Sequence, residues 1–373
     1  MDEVELRELE LGMVEEVSTG PGANCPVVTP YLGLAEVGES TGWLLKNENM
    51  KYLHALHLFT VLVLCRLPVV FSQHKVILTN DDGWAEAQIR AEYEALNEAG
   101  FDVVLSAPAE NMSGTGSRSE DPTPRTEPCE FDSCPAGSPA VGFNETDPRL
   151  NYVNAFPVDS VRFGIQTLAP KFFNGKPDIV ISGSNVGNNL NLGVLGSGTV
   201  CVATLSLVFR NALISIEFSG AAAEGSKEGI SSIAFSGATA SHISYTSLES
   251  DPTSQDSVAA RIYSSLILTF VNKLLDGPGD ILPSHTFLNV NFAPTDNCPT
   301  AESFKFIFTR LIPNPFVKDV NTCGKDHLPD ETTTVARGCF ASVTALDDRL
   351  KLDVGKEKQA QVLGRLNGLV SCL

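Results

Sequence analysis

Basic residues are scarce in this chain. Its 373 residues hold 26 Lys and Arg against 45 Asp and Glu, a formal charge of -19. That balance excludes a nucleic-acid polymer as partner, because binding a phosphate backbone needs a basic face. It also disfavours anionic membrane surfaces. Histidine is scarce too, with six residues in all. His54 and His57 fall in an apolar leader, and His74, His242, His285 and His327 show no partner spacing. Each reads as a surface or packing residue, which leaves histidine-phosphatase and zinc-hydrolase chemistry without support. No paired CxxC spacing occurs, so a zinc site is not expected. No GxxxxGK[ST] occurs, and no GxSxG lies at a strand-to-helix turn, which excludes a P-loop nucleotidase and a nucleophilic-serine hydrolase. The glycines of SGTGS (113–117) lack the third glycine and the following helix of a dinucleotide loop. No apolar run supports a stable membrane span: the longest, Leu58 to Cys65, is cut short by Arg66 and Pro68.

Hydrophobic residues are present in globular proportion, at 43%. Charge is unevenly placed. Residues 1–49 carry ten acids against Arg7 and Lys46, a net of -8, with Gly, Pro and Ser clusters and no sustained periodicity. They read as a poorly ordered extension. Residues 50–72, MKYLHALHLFTVLVLCRLPVVFS, have the layout of a secretory signal peptide: Lys51, an apolar stretch, then the small Val70 and Ser72 at the -3 and -1 positions. The expectation is a secreted protein whose translation starts at Met50, with residues 1–49 belonging to a mis-set gene model. The folded domain is then 73–373.

Of nine cysteines, Cys25 lies in the extension, Cys65 in the leader and Cys201 in an anomalous segment treated below. The other six form an even set, as a disulfide framework requires. Cys129 and Cys134 suit a small local loop; Cys298, Cys323, Cys339 and Cys372 suit staples of the C-terminal region. Sequons at Asn111 and Asn144 fit the same route.

From Lys75 the pattern alternates. Strands are expected at 75–79, 102–107, 177–182 and 230–236, with helices over about 85–99, 158–168 and 257–275. Residues 111–150 read as one long loop, and the segment after 182 as a glycine- and asparagine-rich turn. Later strands are expected in TFLNVNF, FKFIFTRL and CFASVTAL, then a terminal helix over 355–370. Strands alternating with helices imply an α/β fold with a doubly wound, mostly parallel sheet, and the later strands a β-rich, cysteine-bearing C-terminal appendage.

In such sheets ligands sit at the carboxyl ends of the strands. The polar turns NDDG (80–83), PAENMSGTGS (108–117) and SGSNVGNN (182–189) should therefore converge. Adjacent like charges at Asp81 and Asp82 are unfavourable unless a cation offsets them. Carboxylates, hydroxyls and amide oxygens together suit a hard divalent cation, Mg2+ or Mn2+. GSGTV (196–200), leading into a helical pattern, favours a phosphate. A metal beside a phosphate cradle points to metal-assisted phosphoryl hydrolysis.

These turns, in this order, resemble the SurE family of survival-protein phosphatases, or nucleotidases. The likeness runs through ILTNDDG, APAENMSGTGS, FPVDSVRFGIQTL, PDIVISGSNVGNN, GSGTV and SIAFSG. It covers roughly residues 75–372, and the long loop and cysteine-bearing tail are similar to the family's secreted fungal branch. The resemblance implies a Rossmann-like α/β/α sandwich whose C-terminal part mediates a homodimer. It implies removal of phosphate from nucleoside monophosphates and other small-molecule phosphate monoesters, dependent on a divalent metal. It places the metal ligands on Asp81, Asp82, Ser113 and Asn185, with Asp81 the carboxylate nearest the chemistry, as a base. Asn80, Gly114, Ser182, Gly183, Ser197, Gly198 and Thr199 would frame the phosphate.

One segment departs from the family. After GSGTV the family passes directly into a small-residue helix, whereas here CVATLSLVFRNALISIEF (201–218) intervenes before SGAAAEGSKEG. It reads as a retained intron in the gene model, or as a lineage insertion. Because it falls where the phosphate-binding helix should begin, a second reading stands beside the enzyme: a catalytically inactive family member kept as a binding or structural protein.

Overall fold

Strand β1 (Lys75–Thr79) is buried from its second residue onward, and its side chains alternate between two cores. Val76 and Leu78 face one layer and Ile77 the other, the period-two pattern of a strand covered on both sides. A computed structural model of the chain describes residues 73–190, 220–239 and 241–373. The extension 1–49, the leader 50–72, Ser197, Gly198, Thr199 and the 201–218 segment lie outside the described residues.

After β1 come α1 (Ala87–Glu98), β2 (Asp102–Pro108), β3 (Val141–Phe143), β4 (Leu150–Val153), α2 (Pro157–Phe163) and, beyond a π-helical stretch at Gly164–Leu168, α3 (Ala169–Phe173). β5 (Ile179–Val186), α4 (Ala221–Lys227), β6 (Ser231–Gly237), α5 (Ser247–Ser250), α6 (Gln255–Leu275) and β7 (Thr286–Phe292) follow. The C-terminal part holds β8 (Lys305–Phe308), α7 (Glu331–Val335), β9 (Phe340–Asp347), α8 (Lys356–Arg365) and β10 (Val370–Ser371). The ten strands among the described residues form one sheet in the order β10-β8-β9-β7-β6-β5-β1-β2-β4-β3. Pairing is parallel except for β3 with β4 and β7 with β9. The C-terminal strands thus extend the main sheet. Helices α1 and α6 cover one face through Ile89, Leu96, Tyr263, Leu266 and Phe270. Helices α2, α3 and α4 cover the other through Val161, Phe173 and Ala221. Helix α6 is long and apolar enough to cross a bilayer, but 61% of its apolar window is buried inside the protein, so it is read as a core helix.

Three expected boundaries move. The 111–150 loop contains β3 and the start of β4, short strands whose existence depends on pairing, β4 with β2 and β3 with β4. Strand β5 begins at Ile179 and runs to Val186, through the expected turn, because Asn185 and Val186 pair with Ser236 and Gly237 of β6. The terminal helix ends at Arg365, and Val370 joins the sheet beside Phe306. All six expected cysteines are paired, as Cys129–Cys134, Cys298–Cys339 and Cys323–Cys372.

Candidate active site

The chain leaves β1 for β2 on one side and reaches β5 on the other, so the sheet's switch point lies between β1 and β5. Asn80, Asp81 and Asp82 leave β1 there, all essentially buried. The Asn80 amide closes the turn on itself: its Nδ2 donates to the Gly83 carbonyl at 2.9 Å, and its Oδ1 accepts from the Gly83 N–H at 3.1 Å.

Asp82 joins the three expected turns. Its Oδ1 accepts from the Ser113 hydroxyl at 2.9 Å, and its Oδ2 from the Val186 N–H at 2.7 Å. The Asp81 carbonyl accepts from the Met112 N–H at 2.7 Å, tying the first two turns together through the backbone. Asn185 is buried beside them and donates from Nδ2 to the Gly187 carbonyl at 2.6 Å. Gly114 lies one residue beyond Ser113 with a φ of 80°. Ser182 pairs with Thr79 of β1 and keeps a buried hydroxyl without a hydrogen-bond partner. Gly183 is required on two counts. Its φ is 123°, and a Cβ there would lie 2.2 Å from the Phe235 carbonyl oxygen of β6. Gly183→Ala is expected to destabilise the fold by about 2–4 kcal/mol, read as a fall in unfolding midpoint; an unchanged midpoint would contradict the packing described.

Several residues at the site carry no signal in local spacing. His242, in the loop after β6, brings Nε2 within 3.3 Å of Asp82 Oδ1, correcting the expectation of a surface or packing role. Asn111 Nδ2 lies 2.9 Å from the same nitrogen, and its Oδ1 accepts from the Ser113 N–H. Burial holds the imidazole's pKa below its ordinary value, against the pull of Asp81. Beneath the site, α1 grips β5. Glu92 Oε2 accepts from the Ser184 N–H at 3.0 Å, and Gln88 Oε1 from the Ser184 hydroxyl at 2.6 Å. Glu86 caps α1 through the Gln88 N–H. Burial pushes both Glu86 and Glu92 well above the ordinary carboxylate range, with Asp82 adding to the rise at Glu86. A sequence signal existed: Gln88 and Glu92 stand on the same helix stripe as Ile89 and Leu96. Glu130 reaches the turn from the long loop. Its Oε1 accepts from the Ala85 N–H at 3.0 Å, and burial raises it to about 8.

The donor set suits a hard divalent cation. Burial pushes Asp82 up to about 6, against the lowering effects of the Val186 N–H and the Ser113 hydroxyl. Among the described residues no Lys or Arg pairs with it, and His242 is held towards its neutral form. A desolvated carboxylate next to a second one is stabilised by an added cation. Among the described residues no three His, Cys, Asp or Glu side chains form a metal-binding group. The set is two carboxylates completed by neutral oxygens, which is the chemistry of Mg2+ or Mn2+ and unlike that of a soft-metal centre.

This arrangement defines an α/β protein with an acidic, oxygen-lined site at its topological switch point. The family model described as Survival protein SurE matches residues 76–219 and 216–317. The chain belongs to the SurE family. It is 30% identical over 331 residues to an acid phosphatase of Yarrowia lipolytica, covering 80% of this chain and 86% of that protein. It is 29% identical to a 5'-nucleotidase SurE of Caldanaerobacter subterraneus over 68% of this chain and 78% of that protein. A Maridesulfovibrio salexigens 5'-nucleotidase SurE is 37% identical over 130 residues, 35% of this chain and 45% of that protein. Among solved structures, the SurE protein of Aquifex aeolicus aligns with a TM-score of 0.47 at 25% identity, over 78% of this chain and 98% of that one.

Proposed function

We propose that this protein is an exported, metal-dependent phosphomonoesterase acting on nucleoside monophosphates or other small phosphate monoesters. The observation that carries the reading is Asp82: a buried carboxylate beside a second one, at the sheet's switch point, with no Lys or Arg partner among the described residues. The names of the relatives, acid phosphatase and 5'-nucleotidase, support the substrate class, and three disulfides suit export.

Asp81, Asp82, Ser113 and Asn185 would hold the cation, which when bound offsets phosphoryl charge and lowers the pKa of a coordinated water. Asp81 serves as the base that accepts the proton of the attacking water. Ser113 and Val186 hold the Asp82 carboxylate in one orientation by donating to its two oxygens. Asn80 fixes the turn. The Ser182 hydroxyl, the Gly183 backbone and the Gly114 turn would line the phosphate side; the family resemblance adds Ser197, Gly198 and Thr199, which lie outside the described residues. His242, whose Nε2 lies 3.3 Å from Asp82 Oδ1, would help to orient that carboxylate.

A second reading, an inactive family member, is favoured by one observation: residues 201–218 separate GSGTV from the chain entering α4, and the two family matches meet at 216–219. Phosphate release separates the two. The full chain and a variant lacking residues 201–218 are assayed on a nucleoside monophosphate with Mg2+ or Mn2+, and again after chelation. The reading expects turnover that chelation abolishes. Turnover confined to the shortened variant would make the insertion a silencing element. Two folded proteins without turnover would overturn the phosphatase assignment.

A further inference from the structure

The loop closed by the Cys129–Cys134 disulfide packs directly on the turn that carries Asp81 and Asp82. Its backbone is folded tightly: the Cys129 N–H donates to the Cys134 carbonyl at 2.9 Å and the Ser133 N–H to the Glu130 carbonyl at 3.1 Å. Phe131 and Asp132 both adopt left-handed φ values, 53° and 54°. The loop is seated just beyond the end of β2, where the Glu130 N–H donates to the Ala109 carbonyl at 3.1 Å.

From this platform two side chains grip the turn. Glu130 Oε1 accepts from the Ala85 N–H at 3.0 Å. Ser133 Oγ accepts from the Trp84 indole N–H at 2.9 Å and donates to the Glu130 carbonyl at 2.7 Å. Gly83 makes room for this grip. A Cβ at residue 83 would lie 2.1 Å from Glu130 Oε1, 2.2 Å from its Cδ and 2.3 Å from its Oε2. The glycine after the paired aspartates therefore provides both a φ of 115° and the space that the Glu130 carboxyl occupies. Asn80 braces the turn from within, and Glu130 braces it from a covalently closed loop 45 residues away in the chain.

We propose that Glu130 is a positioning residue for Asp81 and Asp82, and that the Cys129–Cys134 loop is the brace that presents it. The inference rests on the reading of those aspartates as metal ligands. Outer partners that fix a ligand's orientation contribute to metal affinity although they never touch the ion. A covalently closed loop adds to this by restricting the positions open to Glu130 and Ser133.

The test uses the full chain, with Glu130→Ala, Glu130→Gln and the Cys129→Ser/Cys134→Ser pair. Amide hydrogen exchange of residues 83–85 is measured without metal, and Mn2+ affinity is measured by calorimetric titration. Glu130→Ala and the cysteine pair are expected to speed exchange at Ala85 by about tenfold or more, leaving β1 protected, and to weaken Mn2+ binding by about tenfold. Glu130→Gln keeps an oxygen acceptor and is expected to restore both to within about twofold of the parent. Unchanged exchange at Ala85 in Glu130→Ala overturns the brace whatever the metal does. Faster exchange with unchanged Mn2+ affinity overturns the positioning role and leaves Glu130 purely structural. If Glu130→Ala does not fold, Ser133→Ala supplies the same comparison at the Trp84 contact. A parent protein that binds no Mn2+ overturns the metal reading, and the positioning of ligands with it, while the exchange data still decide whether the loop holds the turn.

Discussion

Asp82→Asn is expected to lower metal-dependent phosphate release by at least about 10³-fold, equivalent to about 4 kcal/mol of transition-state stabilisation. The substitution nearly preserves shape, and its amide oxygen can still accept from Val186 or Ser113. What it removes is the second negative charge at the switch point, and with it the electrostatic reason for a divalent cation. Asp82→Ala should lose turnover to the same degree but also lower the unfolding midpoint, because the half-buried Val186 N–H is left without its acceptor, at a cost of about 1 kcal/mol. Steady-state turnover of a nucleoside monophosphate, read beside thermal unfolding, separates the chemical loss from the structural one. An Asp82→Asn enzyme within tenfold of the parent would show that the carboxylate pair is structural.

The metal-free protein is expected to lose stability as pH rises from about 4.5 to about 8. Glu86, Glu92, Glu130 and Asp82 all have folded pKa values raised by burial, from reference values of 4.5 for the glutamates and 3.8 for the aspartate. For a raised carboxyl, the folded state keeps the proton after the unfolded chain has released it. Its contribution to stability is therefore fully present below the unfolded pKa and lost as pH rises through the folded value. The windows run from 3.8 to about 6 for Asp82 and from 4.5 to about 8 for Glu130; those of Glu86 and Glu92 extend upward from 4.5. Within its window a fully buried group contributes up to about 1.4 kcal/mol per pH unit, and the partly exposed Glu130 contributes less. Scanning calorimetry in a chelating buffer should show the midpoint falling across this range. Glu92→Gln retains an acceptor for the Ser184 N–H and should flatten the slope. A midpoint that climbs over the same range, or an identical slope in Glu92→Gln, would contradict the burial described. Saturating Mn2+ should raise the midpoint most at the alkaline end, where Asp82 is ionised and best able to bind it.

Much of this site is legible in the chain itself, for reasons that differ by residue. Strands β1 and β2 are short runs of Val, Ile and Leu bounded by polar turns, so their positions follow from pattern alone. The convergence of Asp82 with Ser113 follows from the rule that binding turns gather at the carboxyl ends of parallel strands. The end of β5 is harder to see. Ser182 to Val186 has the glycine and asparagine content of a turn, and only pairing with β6 holds it as strand. β4 has four residues and needs β2 as a template. Arg125, which ties the loop around it to Glu110 and Asn154, shows nothing of this in its sequence neighbourhood. His242 and Glu130 are the clearest omissions. Neither has a motif, because each reaches the turn from a distant loop. Their contacts exist only once the sheet order sets those loops beside β1.

The most direct measurement is the stoichiometry of Mn2+ binding to the full chain, by calorimetric titration with chelator-stripped protein. One ion per chain in the parent, and none in Asp82→Asn at the same concentrations, is the expected result. A folded parent that takes up no Mn2+ or Mg2+, or an Asp82→Asn protein that binds Mn2+ as the parent does, would contradict the proposal that the paired aspartates hold a metal.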